Sequence, residues 1–336
     1  MKSTLTYVYW SIVFIGTLTC TSAAEHDGLK RLPQKFDMPF TAATLEEAQQ
    51  WQKAAREKLL GYVEALCPRK STAELPLDVK IVSTEELDAY TKHRITYVGN
   101  EGERKTAILT IPKGKGNGPF PGMLTLHGHG GNEDAVFNPQ SLYKAFADDF
   151  ALGGYVVIAP SLEHRNYAGM QLWNLMRLVD ILETRPEVDR ERLGVAGVSM
   201  GGEWTMFVAA CDLRLKAAVV SGWMCTTKGC LTVPNCECWE MPGFLTMMDV
   251  CEINLLFAPK PVVFESSLRD PCFPINDCRE GYVRIRAGYA VFGAKDAIWQ
   301  DIWDAGHEWH GELAYPMIDG VLKGNARDVY REKKRY

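Results

Sequence analysis

The stretch Gly197-Val198-Ser199-Met200-Gly201-Gly202 sets a serine between glycines two residues before it and two after. It follows residues 192–196, an apolar run that reads as a buried strand, and leads into residues 203–211, which read as a buried helix. A strand-to-helix turn can push a serine hydroxyl out of the fold only where those neighbours lack side chains, and G-x-S-x-G in that setting is the nucleophile-elbow pattern. The alternative is a glycine-rich turn that happens to contain a serine. A serine is a weak nucleophile until a base takes its proton, and the base needs a third group to hold it. The strand-like run 261–266 ends in Leu268-Arg269-Asp270-Pro271, and the run 298–303 ends in Asp304-Ala305-Gly306-His307-Glu308. Two loops after consecutive strands thus supply an acid and a base, in the chain order Ser, Asp, His. Ser199, Asp270 and His307 are the candidate catalytic set. His310, Glu265 and the acids Glu237, Glu240 and Asp249 rank below them.

Acyl transfer also needs donors for a developing oxyanion, each worth roughly 2.7–4 kcal/mol in the best-studied case. Met200 supplies the backbone N–H after the nucleophile. His127-Gly128-His129-Gly130 follows another strand and fits an H-G-x-G loop, so the His129 N–H is the second candidate. A metal reading fails on spacing. Gly131 and Asn132 stand where an H-x-H-x-D-H set needs Asp and His, and His307 and His310 sit at i, i+3 rather than the i, i+4 of H-E-x-x-H. Cys225, Cys230, Cys236 and Cys238 follow C-x4-C-x5-C-x-C, an uncommon zinc spacing. The expectation is no metal and no organic cofactor.

The elements that must position these groups alternate. Strand-like runs at 94–98 and 106–111 read as an antiparallel hairpin. After them come a strand at 122–126, a helix at 139–152, a strand at 155–159, a helix at 169–184 and the elbow strand. Beyond the elbow helix lie strands at 216–221, 261–266 and 298–303, with helices at 275–292 and 311–322. Apolar strands alternating with amphipathic helices imply an α/β fold, a mostly parallel central sheet with helices on both faces. Residues 223–252, rich in Cys, Trp and Met, break the rhythm and read as an insertion above the carboxyl edge of the sheet. Thr44-Leu45-Glu46-Glu47 is a capping box, and Ala48, Trp51, Ala55, Leu59, Tyr62 and Leu66 recur at helical spacing until Pro68. The partition is therefore residues 25–90 as an N-terminal extension with one amphipathic helix, and 91–336 as a catalytic domain carrying the insertion.

With 336 residues, 46% of them hydrophobic and 24% charged, the chain can bury a large core. A net charge of −5 offers no broad basic field, which argues against a nucleic-acid partner. Residues 1–24 have the shape of a secretory signal: Lys2, an apolar stretch too short for a comfortable membrane span, then Ser22-Ala23-Ala24. An uncleaved anchor is the alternative. Export makes disulfides the favoured reading of the nine cysteines that follow Cys20, with Cys272–Cys278 a specific pair and Cys211 a buried free thiol. Nothing in the sequence sets the oligomeric state.

With these motifs in place, residues from about 94 to 322 resemble the α/β-hydrolase superfamily, in particular its dienelactone-hydrolase and acetyl-xylan-esterase-like branch. The likeness rests on the H-G-x-G loop at His127, G-V-S-M-G-G at Ser199, R-D-P at Asp270 and G-H-E at His307. Dienelactone hydrolases use a cysteine nucleophile, and Ser199 departs from that toward ester hydrolysis. The resemblance implies attack by Ser199, proton transfer through His307 oriented by Asp270, and an acyl-enzyme, with no cofactor. It implies an exported esterase for a carbohydrate ester, with Trp223, Trp239 and Trp309 as candidates for a sugar-stacking wall and buried packing as their alternative. A small-molecule esterase or lactonase, or a non-catalytic binding protein on the same fold, are the competing functions.

Overall fold

The computed structural model describes residues 27–116, 118–164, 168–240 and 244–324. The signal-like segment and the basic run 331–335 lie outside the described residues. Among those described, no helix is long and apolar enough to cross a membrane.

The capping box forms as its sequence requires. The Thr44 hydroxyl accepts the Glu47 N–H, the Glu47 carboxylate accepts the Thr44 N–H, and α1 runs Leu45–Leu66 with Ala48, Ala55, Leu59 and Val63 buried. Strand β1 (Lys80–Glu86) follows, then β2 (Tyr90–Val98) and β3 (Arg104–Pro112), the last two forming the expected hairpin. β1 was not expected. It pairs antiparallel with β2 at the sheet edge with every residue exposed, so it has no buried face to leave an apolar signature.

Next come β4 (Phe120–Leu126), α2 (Phe146–Leu152), β5 (Val156–Pro160), α3 (Ala168–Thr184), β6 (Val188–Val198), α4 (Met200–Cys211) and β7 (Leu215–Ser221). The helix expected from residue 139 starts only at Phe146. Lys144 and Ala145 adopt φ of 51° and 56°, left-handed values that an α-helix cannot contain. The insertion holds more regular structure than its sequence suggested: α5 (Thr227–Thr232), two 3-10 turns and α6 (Val250–Leu255), with Thr226 and Asp249 capping the two helices. The chain closes with β8 (Val262–Ser267), α7 (Ile275–Val291), β9 (Ile298–Trp303) and α8 (Ala314–Lys323).

The nine strands of the described residues share one sheet in the order β1-β2-β3-β5-β4-β6-β7-β8-β9. Pairing is antiparallel from β1 to β5 and parallel from there to β9. Successive side chains on a strand face opposite ways, and the two apolar clusters follow that alternation. Leu193, Val195, Ala218, Val220, Val262 and Phe264 pack with α1, α3, α4 and α7 on one face. Ala196, Val198, Ala217, Val219 and Val263 pack with α2 and α8 on the other. Covering both faces buries the parallel strands and leaves the loops at their carboxyl ends to carry function.

Candidate active site

Ser199 is the hinge between β6 and α4, with φ 62° and ψ −126°. A non-glycine residue in that region is strained, and the strain holds only because both flanks fix it. A Cβ at Gly197 would overlap the Gly201 carbonyl, and one at Gly201 would overlap the Leu126 carbonyl, so the glycines at these two places are required by contact. The Ser199 N–H donates to the Ser221 carbonyl at 2.9 Å, tying the elbow to the end of β7. Its hydroxyl lies over the H-G-x-G loop, 3.2 Å from where a Gly128 side chain would begin.

Asp270 and His307 meet as their loops predict. His307 Nδ1 and Asp270 Oδ2 are 2.7 Å apart, with the Asp270 side chain 3% exposed. The other carboxylate oxygen accepts the backbone N–H groups of Cys272 at 2.8 Å and Phe273 at 3.3 Å, so the acid is held at both oxygens. A carboxylate on Nδ1 places the imidazole proton there and leaves Nε2 as the acceptor. Nε2 is buried and has no hydrogen-bond partner among the described residues. Phe273 stacks on the ring at 6.0 Å and 24°. Gly222, directly after β7, leaves space for the ring: a Cβ there would lie 2.9 Å from His307 Cε1. The elbow and the imidazole thus both abut the end of β7, at Ser221 and Gly222.

The rivals are engaged elsewhere. His310 Nδ1 faces Asp301 at 2.9 Å, and its ring stacks on Trp303 at 4.5 Å. Glu265 is fully buried and accepts the backbone N–H groups of Gly311 at 2.7 Å and His310 at 3.3 Å, while burial pushes its carboxyl up to about 7. It braces the segment that carries His307. Glu240 pairs with Arg31, and Asp249 caps α6 and meets Arg284.

The oxyanion loop is pinned from both sides. His127, 1% exposed, has Nδ1 at 2.8 Å from the Gly128 carbonyl and Nε2 accepting the Leu162 N–H at 2.7 Å. Burial holds its imidazole below the ordinary range, so it serves as a neutral clamp. The Gly128 N–H donates to the Tyr143 hydroxyl at 2.7 Å. That leaves the next N–H, at His129, as the loop's candidate donor, beside the Met200 N–H in the first turn of α4, where helices have no internal acceptor. Burial, and then the neighbouring His164, His307 and His127, lower the His129 pKa.

The three tryptophans do not share one wall. Trp223 and Trp239 are 3% and 2% exposed and meet edge to face at 5.9 Å, with Trp223 also against Phe273 at 5.2 Å. Trp309 lies in the other apolar cluster, stacked on Phe146 at 4.5 Å, and its indole N–H donates to Tyr315. The expected disulfides are not shown: the nine cysteines from Cys67 to Cys278 stand as free thiols in the structure. Cys278 turns inward on α7 to meet Cys225, which also meets Cys230, while Cys272 stays on the Asp270 loop. Cys211 is buried as expected, and burial pushes its thiol up to about 12.

Sequence reasoning missed His164, whose Nε2 lies 3.0 Å from Cys236 Sγ, and Gly222, since neither sits in a recognisable motif. Residues 154–245 match the acetyl xylan esterase family model. The chain is 24% identical over 253 residues to YtaP of Bacillus subtilis (strain 168), provisionally named a hydrolase, over 66% of this chain and 84% of that one. A Bacteroides fragilis NCTC 9343 protein provisionally named an acetyl xylan esterase superposes with a TM-score of 0.67 at 18% identity, covering 83% of this chain and 80% of that one. A glucuronoyl esterase from Solibacter usitatus superposes at 0.58 with 18% identity, covering 77% and 89%. The chain has the α/β-hydrolase fold, and over residues 154–245 it is similar to the acetyl xylan esterase branch of that fold.

Proposed function

We propose that the protein is an exported serine carboxylic-ester hydrolase whose substrate is a carbohydrate ester of the acetylated-polysaccharide kind. The observation that carries the mechanism is the 2.7 Å contact of Asp270 with His307 Nδ1, which leaves Nε2 without a partner among the described residues, while the imidazole and the strained serine elbow both abut the end of β7. Ser199 Oγ attacks the ester carbonyl as His307 Nε2 takes its proton, and Asp270 stabilises the imidazolium. The carbonyl oxygen takes up negative charge against the N–H groups of His129 and Met200. Nε2 then protonates the departing alkoxide as its C–O bond breaks. Water repeats the attack on the acyl-enzyme, releasing the acid and returning a proton to Ser199. In structures without substrate the serine–histidine hydrogen bond is often long or poorly aligned, so an unengaged Nε2 is compatible with this role. The match over residues 154–245 and relatives named for acetyl xylan and glucuronoyl esters support the substrate class. The signal-like N-terminus supports export.

The test is turnover of p-nitrophenyl acetate and acetate release from acetylated xylan. Ser199→Ala should lower kcat on the order of 10^6-fold without changing the melting temperature. His307→Ala should be comparably severe and His310→Ala mild; the reverse ranking would move the base to His310. Hydrolysis of the aryl ester alone would make the protein a small-molecule esterase or lactonase. Inert, folded wild-type protein would make it a binding protein.

A further inference from the structure

Four nitrogen and sulfur donors converge from three separate loops. His129 follows β4, His164 follows β5, and Cys236 and Cys238 flank a residue of the 3-10 turn in the insertion. One donor atom from each lies within 4.8 Å of every other. His129 Nε2 is 3.2 Å from Cys238 Sγ, His164 Nε2 is 3.0 Å from Cys236 Sγ, and the imidazoles meet edge to face at 4.7 Å and 84°. We propose that His129, His164, Cys236 and Cys238 form a tetrahedral zinc site that fastens the insertion to the loop carrying the oxyanion donor.

The dimensions fit. Zinc–nitrogen bonds of about 2.0–2.1 Å and zinc–sulfur bonds of about 2.3 Å give a tetrahedron with edges of about 3.3–3.8 Å. The two nitrogen–sulfur separations, 3.2 and 3.0 Å, lie about 0.3–0.6 Å below the nitrogen–sulfur edge of such a tetrahedron, so side-chain rotations would accommodate the ion. Two imidazoles and two thiolates form a soft, borderline donor set that suits zinc over magnesium or calcium. The two thiolates would neutralise the ion, which matters for a site with half-buried cysteines. With all four positions filled by protein there is no open place for water, so the site is structural and the ion takes no direct part in bond making at Ser199.

Metal ligands are commonly held from behind by a hydrogen-bonding partner. Here the Cys238 thiol donates to Oε2 of the fully buried Glu203 of α4 at 3.8 Å, and Glu203 Oε1 has no partner among the described residues; a thiol proton displaced by the ion would pass to this carboxylate, which would then donate back to the sulfur. The spacing rule that argued against zinc treated four cysteines of the insertion as one set. The fold divides them: Cys225 and Cys230 gather with Cys278, while Cys236 and Cys238 turn to the histidines. Because His129 would be both a ligand and the owner of a candidate oxyanion N–H, an ion here would fix that N–H over the elbow.

The test is metal content and thiol protection in full-length protein purified with a phosphine reductant and no chelator. About one zinc per chain is expected, falling to background in Cys236→Ser and His164→Ala but not in Cys67→Ser, whose thiol lies outside the cluster. On wild-type protein stripped with chelator, cobalt(II) should restore thiolate-to-cobalt charge-transfer absorption. Zinc should slow alkylation of Cys236 and Cys238 at least 10-fold relative to the stripped protein, read by peptide mass mapping. These wild-type measurements keep the idea testable should a variant fail to fold. Stripped protein that takes up neither ion, zinc retained in Cys236→Ser and His164→Ala, or a persistent Cys236–Cys238 disulfide under reductant would each overturn the proposal.

Discussion

A methyl group at position 222 would sit 2.9 Å from His307 Cε1, closer than real Cβ contacts come, and a tight 3.1 Å from Nδ1. The φ of 55° at Gly222 adds a backbone penalty of roughly 1–2 kcal/mol for any other residue. Gly222→Ala should therefore push the imidazole off its line between Asp270 and the serine. A misplacement of about 1 Å near reacting groups costs on the order of 100-fold in rate, so kcat should fall by about that much with KM little changed. Steady-state kinetics with an aryl acetate, beside a thermal melt, check this. A folded variant with unchanged kcat would mean that the ring is not held by this contact. At this scale the sequence was legible where chemistry is written locally. Ser199 sits in its own glycine frame, and Asp270 and His307 each end a strand. It was silent where the partner comes from elsewhere in the chain. Nothing near Gly222 signals that an imidazole 85 residues later will rest on it, and nothing near His164 points to a cysteine 72 residues on.

At the level of elements, β8 contributes both the acid loop and a buried carboxyl that braces the base. Glu265 lies inside a strand whose every residue is buried, and burial lifts its pKa to about 7 from an ordinary value near 4.5. Between about pH 4.5 and 7 the folded protein then binds more protons at this site than the unfolded chain does. Unfolding free energy contributed by Glu265 must therefore fall as pH rises through that window, with the loss complete above the folded pKa. Glu265→Gln removes the ionisation, so urea melts at intervals from pH 5 to 8 should show a flatter decline than wild type. Parallel profiles would refute the assignment. The exchange also turns an amide N–H₂ toward the backbone donors of His310 or Gly311, and some loss of stability at pH 5 is expected from that alone. Elements were legible where burial left an apolar run or stripe in the sequence, on one face or on both. β9 has the expected limits, Ile298–Trp303, and α1 begins at its predicted cap. β1, exposed throughout, left no pattern, and the late start of α2 depends on two left-handed residues whose identities, Lys144 and Ala145, give no hint of them.

For the molecule as a whole, the N-terminal segment is built into the sheet domain. β1 extends the same sheet, and α1 packs in the same cluster as Leu193 and Val195 of the elbow strand. Polar contacts reinforce this, because α1 supplies donors to carbonyls at the ends of two other helices. The Gln52 amide donates to the carbonyls of Leu255, Leu256 and Ala258 at the close of α6. Arg56 donates from Nε to the Ala210 carbonyl at 2.8 Å, in the last turn of α4, and from its guanidinium terminus to Leu256. The helix that starts at the nucleophile is thus terminated by a residue 143 positions before Ser199, and the positive charge there opposes the negative end of the helix dipole. Arg56→Ala would strip these carbonyls of a charged donor, at about 1–3 kcal/mol for each that water cannot reach. The expected result is a loss of roughly 2–5 kcal/mol in one cooperative transition, since α1 and the sheet share a core. Lys53→Ala is the comparison: its side chain is 79% exposed and, among the described residues, reaches only Glu57 at 4.0 Å, so it should change stability by less than about 0.5 kcal/mol. Urea unfolding followed by near- and far-ultraviolet circular dichroism would decide the matter. An early separate phase in the far-ultraviolet signal, or an Arg56 variant as stable as the Lys53 one, would mean that the N-terminal helix is an appendage rather than a part of the domain.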